Sequence, residues 1–211
     1  MKFTQHNFGI IGILLLSMVV FSGCQKEIDF TSPTLSNRLV EVGALGSGES
    51  CVPLMAGQHT NAGSLCFADQ DTNGDGFPDL LIVTYTTSGT WSLKEIHLWI
   101  GETIAQLPMN NGGNPQIGLF PYKQSNLSTN TISVEIPFAD LGYDCADAKR
   151  YFVAAHAVVQ NGNGGTQTAW ADGDRLSARG NWAMYMGIWI SCDAHDNLAV
   201  SSETAWAKLN E

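Results

Sequence analysis

The chain has 211 residues, with 20 acidic side chains against 10 basic ones and a net charge of −10. That balance argues against nucleic acid as a partner, and against adhesion to an anionic membrane through the folded surface, since both need clustered Lys and Arg. No basic cluster occurs along the chain.

The N-terminus sets the expected compartment. Lys2 precedes an apolar run from Phe8 to Phe21, short for a membrane span and suited to the core of a signal peptide. The run closes on Phe21-Ser22-Gly23-Cys24, which resembles the lipobox of bacterial lipoproteins. The resemblance implies a signal peptide over 1–23 and acyl chains such as palmitate on Cys24, which becomes the mature N-terminus. Two acyl chains hold a protein on a membrane where one does not. The following "QKEID" resembles the lysine-plus-acid tag of surface-exposed Bacteroidetes lipoproteins, so an outer-membrane position facing outward is expected. Residues 24–50 carry Ser, Gly and Pro with little apolar periodicity and read as a tether.

Roughly 140–160 residues remain, enough for one domain with its own core. We place it at 51–192, with a tail over 193–211. Beyond Cys24 the cysteines are Cys51, Cys66, Cys145 and Cys192, an even number that reads as two disulfides in an exported chain. Three connectivities are possible, of which Cys51–Cys66 with Cys145–Cys192 is our choice. No CxxC spacing supports zinc.

In chain order the periodic segments are short and mostly of period two, bounded by Gly, Asn, Asp or Pro. "SLCFA" comes first, and then the loop "DQDTNGDGFPD". Asp71, Asn73, Asp75 and Asp79 alternate there as hard oxygen donors. Gly76 permits the tight turn, and the Phe77 carbonyl can join the shell. The spacing resembles the DxDxDGxxD loops of thrombospondin type 3 repeats and dockerins, which implies calcium. A full EF-hand is excluded: twelve residues from Asp71 end at Ile82, and from Asp69 at Leu80, so the bidentate glutamate is missing. Asp69 is the candidate substitute. The competing reading is a solvated hairpin connection, because Asn-Gly and Asp-Gly form turns readily.

"DLLIVTY" follows and reads as a central strand buried on both faces. In "LKEIHLWIG", alternation puts Ile96, Leu98 and Ile100 on one face, and Glu95, His97 and Trp99 on the other. The connection 101–130 exceeds the usual loop length, and its Leu107, Ile117, Leu119, Phe120 and Tyr122 predict an ordered flap. "TISVEIP" sends Ile132, Val134 and Ile136 to one face. "YFVAAHAVV" and "WAMYMGIWI" complete the strands, and "SSETAWAKLNE" is the one helical candidate, capped by Ser201 or Ser202. The sum predicts an all-β fold: a single antiparallel β-sandwich, Ig-like or jelly-roll-like, of about seven to nine strands.

Six motifs in register, "MAGQHTNAG", "EIHLWIG", "GNPQIGLFPY", "VAAHAVV", "TAWADG" and "NWAMYM", span about Leu54 to Trp189. Their order resembles a domain of secreted and surface proteins of bacteria and archaea. The resemblance implies an extracytoplasmic β-rich module and brings no established activity or catalytic residues. The acidic loop is an elaboration on that pattern.

Two constellations bear on function. His97 and His156 fall mid-strand and, with Glu95 or Asp172, would make a His₂-carboxylate site for a transition metal if their strands pair. The competing reading is two histidines hydrogen-bonded within a sheet. Among the six tryptophans, Trp99 shares a face with Glu95 and His97, and Trp170 precedes Asp172. Such a face suits sugar stacking, with packing as the plain alternative. No GxSxG or spare thiol supports nucleophilic catalysis. The expected function is therefore a membrane-anchored binding or adhesion module, non-enzymatic, with glycans as candidate ligands and one structural calcium. The alternatives are a metal-dependent enzyme at His97 and His156, or a purely architectural envelope protein.

Overall fold

Period-two alternation demands a sheet with one face on a core, and the fold follows that demand almost throughout. A computed structural model describes residues 41–42, 49–177 and 181–192. Its strands are β1 Glu41–Val42, β2 Ser50–Ala56, β3 Thr60–Gln70, β4 Leu80–Thr87, β5 Ser92–Gly101 and β6 Tyr122–Gln124. They continue with β7 Thr131–Pro137, β8 Lys149–Gln160, β9 Thr166–Ala171, β10 Asp174–Arg175 and β11 Met184–Ile190. No α-helix occurs among the described residues, only short 3-10 turns at 104–106, 117–119 and 138–141. The C-terminal helix candidate, like Cys24, lies outside them. Two residues of the segment read as tether, Glu41–Val42, run parallel to β11.

The long strand β8 organises the sheet. Along one edge its first half, Lys149–Val153, pairs with β11, and its second half, His156–Gln160, pairs with β9. Along the other edge it pairs with β5. From β9 the sheet continues through β2, β3, β4 and β7. From β5 it continues to β6, and the backbone beyond β6 stays on β5: Leu127 N–H donates to the Lys94 carbonyl, and Leu93 N–H to that of Thr129. The chain then enters β7 on the far side of β4. The antiparallel all-β expectation holds, and its two layers are opposed walls of one sheet, nearly closed in a barrel-like shape.

The interior is aliphatic and aromatic, with Leu54, Leu65, Phe67, Tyr85, Leu98 and Val153 fully buried. Burying apolar surface of this kind contributes roughly 25 cal/mol per Å². The buried Tyr85 hydroxyl is satisfied by donating to the His97 carbonyl at 3.2 Å. On β5 a register shift between Leu93 and Glu95 turns both Leu93 and Ile96 inward, one residue out of strict alternation. The β2–β3 turn carries positive φ at Gly57 (55°) and Gln58 (76°), the primed geometry that matches strand twist.

Strand β4 corrects one expectation. It lies between β3 and β7, but only alternate residues, Leu81, Val83, Tyr85 and Thr87, are buried, while Leu80, Ile82 and Thr84 are half-exposed. The layer that covers the outside of the barrel lies over β5, β8 and β9 instead.

Both disulfides have the expected pairing, Cys51–Cys66 and Cys145–Cys192. The first joins register partners on β2 and β3. The second ties the loop before β8 to the end of β11 across a separation of 47 residues.

Candidate functional site

The acidic loop links β3 to β4, and its side chains organise its own backbone. Asp71 accepts N–H bonds from Asn73, Gly74 and Gly76 at 3.2, 2.7 and 2.8 Å. Asn73 Oδ1 accepts from Asp75 N–H, and Asp75 Oδ1 from Phe77 N–H, repeating the same two-residue step. At the loop's end Asp79 takes both the N–H and the hydroxyl of Thr72. These bonds, that of Gly76 first, hold the Asp71 carboxyl below the usual carboxylate range. The loop therefore keeps an anionic, ordered row of oxygens. Its carboxylates do not meet in one cage: among the described residues no three acidic or imidazole groups of the loop lie within 4.8 Å of one another. Asp69 sits half-buried at the end of β3, opposite Leu81.

The second candidate region is the outside of the barrel over β5, β8 and β9. Strand register sets five residues abreast there: Met55, Trp170, His156, His97 and Lys123. The two histidines meet, Nδ1 to Nδ1, at 3.2 Å, and both are buried. One hydrogen lies between two nitrogens, so one imidazole donates and the other accepts, and burial favours the neutral form of both. Burial, reinforced by His97, pushes His156 down to about 3; burial likewise lowers His97, against the pull of Glu95. The Trp170 ring lies 4.9 Å from His156 in an edge-on arrangement.

Two expectations change here. The histidine pair forms, but its carboxylate does not: Glu95 lies 4.0 Å from His97 Nε2, the nitrogen turned away from the pair. Asp172 follows β9, where its N–H donates to the Pro53 carbonyl. Among the described residues no acidic side chain completes a three-ligand set with the two histidines. The tryptophan face is also not an open platform. Trp99 is 5% exposed and Trp170 2%, both packed with Leu107, Phe120, Ala183 and Met184 in a second apolar cluster. The long connection supplies part of that cover, which is why it is ordered: Leu107 and Phe120 are its anchors.

One feature escaped sequence reasoning. Where β5 ends and β8 begins, an open cleft of about 250 Å³ lies between the 104–106 and 138–141 turns. Glu102, Gln106 and Asp140 line it together with Tyr151 and Trp99. Lys149 Nζ donates to Glu102 Oε1 at 2.7 Å and lies 5.4 Å from the centre of the Tyr151 ring. These residues come from three separate segments and share no motif, so nothing in the sequence assembles them.

No family model, no curated protein and no solved structure matches the chain.

Proposed function

We propose that this chain is a lipid-anchored, extracytoplasmic bacterial module that acts by binding rather than by catalysis. The observation that carries the reading is the cysteine accounting. Of five cysteines, four close two bridges within the barrel, which leaves Cys24, at the lipobox, outside both. Disulfides of this kind persist in oxidising compartments, where a lipoprotein precursor is delivered. The six-motif resemblance to surface domains points the same way.

Calcium at 71–79 belongs to this reading as a structural ion. Its support is the alternation of Asp71, Asn73 and Asp75 before Gly76, already folded into a row of turns that leaves carboxylate lone pairs available. Binding would draw Asp79 away from Thr72 and bring the row into one shell. A binding role is favoured over metal catalysis because no carboxylate completes a ligand set with the two buried histidines, and the hydrogen bond between them occupies their facing nitrogens.

The test of the anchored module is metabolic labelling of producing bacteria with an alkyne analogue of palmitate. Label on the wild-type chain and none on Cys24→Ala is expected. An unlabelled wild-type chain would end the lipoprotein reading.

A further inference from the structure

We infer that the cleft between the end of β5 and the start of β8 is a recognition site for a single uncharged sugar residue. This rests on the binding-module reading and gives it a location. The buried Trp99–Trp170 face cannot serve as that location, because no ligand reaches it without displacing the flap.

Four features support the assignment. Size comes first: about 250 Å³ lies below the ~300 Å³ at which drug-sized sites begin, so one small molecule fits. The position is at strand ends, between two connecting turns.

The second is the inventory of hydrogen-bonding groups. Asp140 makes no hydrogen bond or ion pair within the described residues, so both its oxygens accept freely. Glu102 has Oε1 engaged by Lys149, which leaves Oε2. Gln106 uses Oε1 to accept from Thr103 N–H, which leaves the two donors of Nε2. Acceptors from two segments, Glu102 and Asp140, and a donor from Gln106 complement hydroxyls, each of which donates and accepts.

The third is rigidity. Gln106 closes a capping box with Thr103, so its amide is held rather than loose. Gly101 lies so close under Trp99 and Gln106 that a Cβ there would sit 2.6 Å from Trp99 Cζ2 and 3.1 Å from Gln106 Oε1. Only glycine lets the indole edge and the amide form this wall. Preorganised groups of this kind bind without an ordering cost.

The fourth is charge. Lys149 neutralises Glu102, while Asp140 remains uncompensated across the cleft, and burial next to it, then its charge, raise the Tyr122 hydroxyl above its ordinary value. A carboxylated sugar would meet that charge, so the site selects neutral residues over uronic acids.

The experiment is calorimetric titration of the full chain in detergent with methyl α-glucoside, methyl α-mannoside, methyl α-galactoside, N-acetylglucosamine and glucuronate. Saturable one-site binding of at least one neutral sugar is expected, with glucuronate weaker. Asp140→Ala and Gln106→Ala should each weaken binding about tenfold, the loss of one well-placed hydrogen bond; Asp140→Ala should do so at an unchanged unfolding midpoint, while Gln106→Ala also gives up the cap on Thr103 N–H. Three results would overturn the inference: no neutral sugar binds, glucuronate binds as well as the neutral sugars, or both variants bind like wild type. A chain that takes the palmitate label but fails in any of these ways leaves the anchored module standing without this site. A chain that binds sugar but takes no label does the reverse.

Discussion

The buried histidine pair makes stability depend on pH in a window clear of most carboxylates. His156 is held at about 3, by burial first and then by His97, against an ordinary value near 6.5. The neutral form is thus the folded form, and the unfolded chain takes the proton first. Stability from this group is complete above pH ~6.5 and is lost as pH falls from there toward 3. Between pH 7 and 5, His156 alone accounts for about 2 kcal/mol. His97, lowered by the same burial, adds loss of the same sign. Of the charged groups around the pair, Lys123 works with this effect and the half-exposed Glu95 against it. Urea unfolding of wild type and His156→Gln at pH 7, 6 and 5, at constant ionic strength, measures the difference. The histidines outside the pair are common to both proteins and cancel, and the coupled part of His97 is counted with His156. Wild type should lose about 2 kcal/mol more than the variant across that range. A flat wild-type profile, or an equal loss in His156→Gln, would refute the neutral buried pair.

Other perturbations test separate parts of the fold. Removing the Cys145–Cys192 bridge by double alanine substitution should cost about 4 kcal/mol, the loop-closure value for 47 residues, and removing Cys51–Cys66 about 3; denaturant midpoints at equal m-value read both. Trp99→Ala should destabilise by about 3–5 kcal/mol as a buried large-to-small change, whereas a tryptophan on an open platform would cost little. Calcium should raise the thermal midpoint of the full chain, and Asp75→Ala should abolish the rise. An equal midpoint in calcium and in chelator would make 71–79 an ordinary turn.

Period two is a local property, and what it reports is which side chains share a face. Ile96 and Leu98 are buried inward as their spacing required, Ile136 closes the same core from β7, and Ser133 and Glu135 are exposed. Local chemistry likewise made the acidic loop visible, since its oxygens bond to backbone only two to seven residues away. The even cysteine count foretold two bridges for a similarly simple reason. By itself, then, the sequence determined an all-β chain with two disulfides, its inward faces and its one acidic turn.

What covers the outward faces is a matter of tertiary structure. His97 and His156 stand 59 residues apart, and only the register of β5 on β8 sets their nitrogens at 3.2 Å. The alternation that put Trp99 outside the barrel was read correctly, but it carries no information about Leu107 and Phe120 folding over it. On β4 the same ignorance worked in the other direction: Ile82 is apolar and outward, and no layer covers it fully. The cleft joins Glu102, Asp140 and Tyr151 from three strands' ends. Such convergence depends on long-range pairing, whose loop-closure cost and register no local pattern encodes.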